Sequence, residues 1–277
     1  MRYFIDQGTV IGYKHKLNQD RVIAESMDDG KYGWLIVSDG HGSRKRAERG
    51  AQFAVDTAKE IVKGFIIAVK NGDISHSVNM SSAIESIKGR ILWNWQECVK
   101  NDLKKDPFEL ETSNMGSDEY GATLLIACIL DELGVVYLQL GDGDICVTMS
   151  DERILTPIEK RIEQVGNLTH SLCEKDAINS FDSLFCRGEL PQAIIITTDG
   201  VSNAIPNKYD FEAIGQMAIT QSKSCFNKAG IADFRSKLTA LLERCTMASG
   251  DDCSMAFAID ISMIGDLVES KEHKKEK

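Results

Sequence analysis

Arg21-Val22-Ile23-Ala24-Glu25-Ser26-Met27-Asp28-Asp29-Gly30-Lys31-Tyr32-Gly33-Trp34-Leu35-Ile36-Val37-Ser38-Asp39-Gly40-His41-Gly42 carries two apolar, β-prone runs, residues 21–26 and 32–38, on either side of a short polar link. The link contains Asp29-Gly30, a pair suited to a tight turn, so the stretch predicts a β-hairpin. Its second strand runs straight into Asp39-Gly40-His41-Gly42. The next stretch has the period of a helix, not of a partner strand: Ala47, Ala51, Ala54, Val55, Ala58, Ile61, Val62, Phe65 and Ile66 recur near helical spacing between about Lys45 and Val69.

Outward from this stretch the same alternation of element types continues. A second helical pattern runs from Ser82 to about Leu103, with Ser82 and Glu85 at capping-box spacing. Beyond an irregular stretch, residues 106–120, Ala122–Leu130 and Val135–Leu140 flank Asp131-Glu132-Leu133-Gly134 as another hairpin. Ile145–Met149, Arg153–Leu155, Gln192–Thr198 and Cys253–Ile261 read as strands, and residues 211–220 and 231–247 as helices. Helix pairs separated by hairpin-linked strands do not alternate as βαβ units. The expected fold is α+β: a four-layer α-β-β-α sandwich of two mostly antiparallel sheets flanked by helices. We expect one domain over residues 1–262, with a charged, frayed tail at 263–277.

Composition excludes several function classes. The formal net charge of −10 argues against a nucleic-acid partner, whose binding relies on basic residues displacing counterions. No apolar run is long enough to span a bilayer and no secretory signal opens the chain, so a soluble, cytoplasmic protein without membrane contact is expected. The eight cysteines lie mostly in apolar stretches without a C-x-x-C pair and read as reduced core residues. Neither G-x-x-x-x-G-K-[ST] nor G-x-S-x-G occurs.

The chemistry lies in a repeated pattern. An Asp-Gly pair comes after an apolar strand three times, at Asp39-Gly40, Asp142-Gly143 and Asp199-Gly200, and Asp251-Asp252 precedes the last strand. Any one pair could be only a turn; together they would gather carboxylates at a sheet edge. Crowded carboxylates in a partly desolvated pocket repel one another unless a cation neutralises them. Oxygen donors without His or Cys at metal-ligand spacing favour magnesium or manganese. The carbonyl of Gly40 is a further oxygen donor, because glycine permits close approach.

Six motifs taken together resemble those of the type 2C metal-dependent protein phosphatases. They are Asn18-Gln19-Asp20, Val37-Ser38-Asp39-Gly40-His41-Gly42, Gly121-Ala122-Thr123, Leu140-Gly141-Asp142-Gly143, Thr198-Asp199-Gly200-Val201 and Asp251-Asp252-Cys253-Ser254, in family order across residues 8–261. The resemblance implies hydrolysis of phosphoserine and phosphothreonine in proteins by a water bridging two Mg2+ or Mn2+ ions. Asp39 would bridge the ions, Asp199 and Asp251 would complete one site, and the Gly40 carbonyl would serve the other. Asp142 would join Asp199 at a third, weaker site. Asp20 would orient water, Gln19 would act through water, and His41 would protonate the departing oxygen. A phosphoprotein substrate and an opposing serine/threonine kinase are the implied partners.

Two positions depart from the family pattern. His15 stands where many members carry an arginine that grips the substrate phosphate, and imidazole cannot supply a bidentate grip. It is nevertheless the expected substrate-binding residue. Asn203 replaces an aspartate that many members use for the third metal. These departures leave open a second reading, a weakly active or inactive module that binds a phosphoprotein. Arg44, Arg46 and Arg49 are either an attraction for a phosphopeptide or a solvated face. The weakly periodic stretch at 158–191 is where the family places a variable flap, and substrate selection is expected there.

Overall fold

The hairpin read from residues 21–38 forms as β2 (Arg21–Met27) and β3 (Tyr32–Ser38), paired antiparallel from Arg21↔Ser38 to Met27↔Tyr32. Asp28, Asp29 and Gly30 turn the chain with φ of 51°, 54° and 82°. In this computed structural model the described residues are 1–74, 77–107, 116–159, 169–188, 190–205 and 228–261.

β3 continues into a five-stranded sheet ordered β2, β3, β4 (Leu124–Leu130), β5 (Gly134–Leu140) and β8 (Asp182–Arg187). A second sheet orders β1 (Tyr3–Val10), β10 (Cys253–Asp260), β9 (Ala193–Thr197), β6 (Asp144–Thr148) and β7 (Ile154–Leu155). All the paired strands are antiparallel.

Strand alternation assigns the layers. Leu35 and Val37 of β3 face the second sheet and meet Leu125, Ile129, Ile194, Ile196 and Ala258 in the core between the sheets. Trp34 and Ile36 face the other way, onto α1 (Ala47–Lys70) and α2 (Ser77–Lys105), with Ala54, Ala58, Ile66, Ile91 and Trp95. The alanines in the first half of α1 let the helix approach closely, and Trp95 Nε1 donates to the Gly50 carbonyl at 2.9 Å to tie α2 to α1. On the far side, α5 (Lys228–Ser249) lays Phe234, Leu238 and Leu242 on Ile195, Met255 and Phe257. The short helices α3 (Ala177–Ser180) and α4 (Asp199–Ala204) complete the set among the described residues. The four-layer α-β-β-α sandwich is therefore present.

Several expectations are corrected. Ser82 does not cap α2, which begins at Ser77. The apolar stripe of Ile84, Ile87 and Ile91 extends back to buried Met80, and Glu85 pairs instead with Lys88 at 2.6 Å. β1 and β8 are not among the expected strands. Gln7 and Gly8 interrupt the apolar pattern of β1, and β8 is a half-buried edge strand whose polar residues mask its period. Of the cysteines, Cys98, Cys128, Cys146, Cys173, Cys186, Cys245 and Cys253 are unbridged, and four of these are buried. The helix expected at 211–220 and the tail at 263–277 lie outside the described residues. No helix among the described residues is long and apolar enough to cross a membrane.

Candidate active site

Antiparallel register places the acidic residues at one end of the sandwich. Arg21 pairs with Ser38, so Asp20, just before β2, lies beside Asp39, just after β3. In the other sheet Asp144 and Met255 both pair with Thr197, so Asp142, Asp199 and Asp251 lie at the neighbouring strand ends. Loops from five chain segments thus deliver carboxylates to one edge without any of them being close in sequence.

Hydrogen bonds fix the platform. Asp39 N–H donates to Thr123 Oγ1 at 2.9 Å, and Thr123 N–H donates to the Asp39 carbonyl at 2.8 Å. His41 N–H donates to the Gly121 carbonyl at 3.0 Å. These bonds flank an isolated bridge between Gly40 and Ala122 and leave the Gly40 carbonyl outside them. A Cβ on Gly121 would lie 2.6 Å from His41 Cδ2, so glycine is required for the imidazole to sit where it does.

The carboxyl groups of Asp39 and Asp199 are in hydrogen-bonding contact. Burial, then the charges of Asp20 and Asp199, push Asp39 well above the ordinary carboxylate range. Burial also raises Asp20 to about 8, although the Thr198 hydroxyl, 2.7 Å from its Oδ2, opposes the shift. Asp199 is raised by burial and then by Asp142, while the Asn203 amide donates to its Oδ2 at 2.9 Å. Asp251 adds to the charge felt by both Asp39 and Asp199. Such a donor set, hard oxygens whose strongest neighbours are other carboxylates, fits a divalent cation.

At the rim, burial lowers the pKa of His41, while Asp142 and Glu174 pull it upward. The Thr169 hydroxyl donates to Asp142 Oδ2, tying the segment before Ser171 to the cluster. His15 faces Asp252 and Asp251, with Nδ1 3.2 Å from Asp252 Oδ1 and Nε2 3.7 Å from Asp251 Oδ1. Gln19 donates its N–H to Asp252 Oδ2 at 2.7 Å, as Gly12 does to Oδ1.

The three arginines separate. Arg46 is buried and Arg49 half-buried, and both are held by Asp102 and Asp106 of the α2 end and the residue after it, with Arg46 Nη1 also 2.6 Å from Tyr120 Oη. Neither a phosphopeptide patch nor a solvated face describes these two. Arg44 alone is exposed. Sequence reasoning counts Asp252 only as a member of the Asp251-Asp252 carboxylate pair and gives no role to Thr198 or Glu174. Asp252 and Thr198 stand in two of the motifs, but burial with backbone partners leaves no mark on a sequence.

No curated protein sequence matches this one significantly. Among solved structures the chain is similar to a bacterial serine phosphatase carrying a point mutation, at a TM-score of 0.62 and 17% identity, covering 94% of this chain and 99% of that one. It is similar to the serine/threonine phosphatase Stp1 from Staphylococcus aureus at 0.62 and 14%, covering 94% and 96%. The catalytic domain of the serine/threonine protein phosphatase PstP, in complex with two manganese ions, superposes at 0.55 and 13%, covering 93% and 97%. The sequence model of protein phosphatase 2C matches residues 8–243. That match spans most of the 277 residues, and the chain belongs to the protein phosphatase 2C family of protein serine/threonine phosphatases.

Proposed function

We propose that this chain hydrolyses phosphoserine and phosphothreonine in proteins with the help of two divalent cations, Mg2+ or Mn2+, opposing a serine/threonine kinase. The observation that carries this reading is the convergence of Asp20, Asp39, Asp199 and Asp251, whose burial and mutual repulsion raise Asp39, Asp20 and Asp199 above the usual carboxylate range. Asp39 would be shared by both cations, with Asp199 and Asp251 on one and the Gly40 carbonyl on the other. Asp142 and Asp199 would offer a weaker third position. When bound, the cations lower the pKa of a water and draw charge from the phosphoryl oxygens.

The chain's own residues do the rest. Asp20, fixed by Thr198, orients the attacking water through its second oxygen. His41 sits at the rim and gives its proton to the departing serine or threonine oxygen, a transfer worth roughly 10²–10⁴ in rate. Turnover of a phosphothreonine peptide with Mn2+, its loss with chelator, and its loss in Asp39→Asn and Asp199→Asn test the reading. Activity surviving all three would overturn it.

A second reading, a module that binds a phosphoprotein without turnover, is favoured by one observation. Asn203 gives Asp199 a neutral hydrogen bond where a carboxylate would have added a ligand. Absence of Mn2+ binding at millimolar concentration by calorimetry, together with phosphopeptide binding, would select it.

A further inference from the structure

His15 lies at the end of a tight turn, its N–H donating to the Gly12 carbonyl at 2.9 Å. The turn rides close over Asp251 and Asp252: a Cβ on Gly12 would meet the Asp251 carbonyl carbon at 2.6 Å. Each ring nitrogen of His15 consequently faces a carboxylate, and the two carboxylates are not alike. Asp252 is 3% exposed and holds the backbone N–H groups of Gly12 and Gln19, each at 2.7 Å. Asp251 is open on one side, its side chain 46% exposed.

The two nitrogens also differ. Nδ1 is buried and makes no hydrogen bond in good geometry, although Asp252 Oδ1 is 3.2 Å away. Nε2 points at Asp251 Oδ1 across 3.7 Å, too far for a hydrogen bond. Neighbouring ligands about 2.1 Å from an octahedral cation stand roughly 3.0 Å apart. His15 Nε2 and Asp251 Oδ1, 3.7 Å apart, would therefore draw together by about 0.7 Å on a shared cation. One ligand atom each from His15, Asp251 and Asp252 lie within 4.8 Å of one another.

A histidine that binds metal characteristically gives its second ring N–H to a carboxylate, which fixes the tautomer and the ring plane. Asp252 Oδ1, 3.2 Å from Nδ1, is the carboxylate beside that place for His15, and the ring must turn to bring the N–H into line with it. With the proton on Nδ1, the Nε2 lone pair is directed toward Asp251. We propose that His15 Nε2 is a ligand of the divalent cation held at Asp251, with Asp252 as its positioning residue, so that the centre is a mixed nitrogen and oxygen site. The inference rests on the metal-centre reading of the acidic cluster and reassigns His15. An imidazole bound through Nε2 and turned to Asp252 through Nδ1 has no N–H left to grip a phosphate. It also changes the metal preference, because imidazole suits manganese and other transition ions, whereas magnesium prefers oxygen.

The test uses the full chain loaded with Mn2+ alone and examined by pulsed electron paramagnetic resonance. The expected result is a nitrogen modulation on the Mn2+ signal that changes when histidine is labelled with 15N and disappears in both His15→Ala and His15→Gln. Calorimetry should show Mn2+ affinity falling about 10–100-fold in those variants and in Asp252→Asn, with Mg2+ affinity changed less. Mn2+ that binds, is lost in Asp39→Asn, yet shows no His15-dependent nitrogen would overturn this inference while leaving the metal centre standing. A chain that binds no Mn2+ at all would overturn both. A raised KM for phosphopeptide in His15→Gln, with Mn2+ affinity unchanged, would return His15 to a substrate role and also overturn the inference.

Discussion

The Thr198 hydroxyl donates to Asp20 Oδ2 at 2.7 Å, and Thr198 Oγ1 in turn accepts the Ser254 N–H at 3.0 Å. One small side chain at the end of β9 therefore joins the start of β10 to the residue that opens β2 in the opposite sheet. Asp20 and Ser254 are both buried, so the hydroxyl bridges two groups with little access to solvent.

Thr198→Val keeps the shape and removes both bonds. The buried Ser254 N–H loses its partner and Asp20 loses one of its two hydrogen-bonding side chains, and a loss of about 1–3 kcal/mol is expected in urea denaturation of the metal-free chain. Thr198→Ser, which retains the hydroxyl, should recover most of it. Equal stability of the valine variant and the parent would mean that the bond does not tie the sheets.

The raised carboxylates set a pH dependence for the metal-free protein. Asp20 has a folded pKa of about 8, against about 3.9 in an unfolded chain. The folded state thus binds more protons over that interval, and stability must fall as pH rises through it. Asp39 and Asp199 are shifted the same way and steepen the decline. Thermal melts from pH 5 to pH 8 should show Tm decreasing without Mn2+, with a much flatter profile once Mn2+ replaces the protons. A Tm that rises with pH in the metal-free chain would contradict the crowding on which the site depends.

The fold is legible where the side-chain period is strong. The alternation in β3 and the alanine-rich stripe of α1 are direct records of which face is buried, and the Asp-Gly positions record the strand ends. β1 and β8 are not legible, because an edge or half-buried strand needs fewer apolar residues than its period would reveal. The acidic cluster is legible as a set, since charge placed after successive strands has few structural uses. Its supports are not. Asp252 binds the backbone of Gly12 and Gln19, residues more than 200 positions away in sequence, and such a contact exists only once the register of β1 against β10 is formed.

Arg46 marks the same limit and yields a prediction. Its guanidinium reaches Asp102, Asp106 and the Tyr120 hydroxyl, while Tyr120 Oη donates to Asp102 at 2.6 Å, bracing the chain just before Gly121. Arg46→Met would take one of its two guanidinium partners from Asp102, leaving Arg49 and the Tyr120 hydroxyl, and should cost about 1–3 kcal/mol. Arg49→Met, more exposed, should cost ~1 kcal/mol or less. Neither should raise KM for a phosphopeptide. A raised KM at unchanged stability would restore the phosphopeptide-attracting role that the geometry removes.

Gly121 provides the sharpest test of His41. The Cβ of an alanine there would stand 2.6 Å from His41 Cδ2, 3.3 Å from the Asp118 carbonyl oxygen and 3.4 Å from Cys173 Sγ. The His41 N–H to Gly121 carbonyl bond at 3.0 Å holds the two backbones together, so the imidazole ring, not the chain, must move. If that ring delivers the proton to the departing oxygen, Gly121→Ala should lower kcat by about 10²-fold. It should approach His41→Ala, while Mn2+ affinity stays near that of the parent because neither residue belongs to the proposed metal centre. Wild-type kcat should also decline as pH rises through the pKa of His41 in the complex, and that limb should vanish in both variants. A Gly121→Ala enzyme with parental kcat and the same pH profile would show that the position of the ring does not matter, and His41 would lose its place in the mechanism.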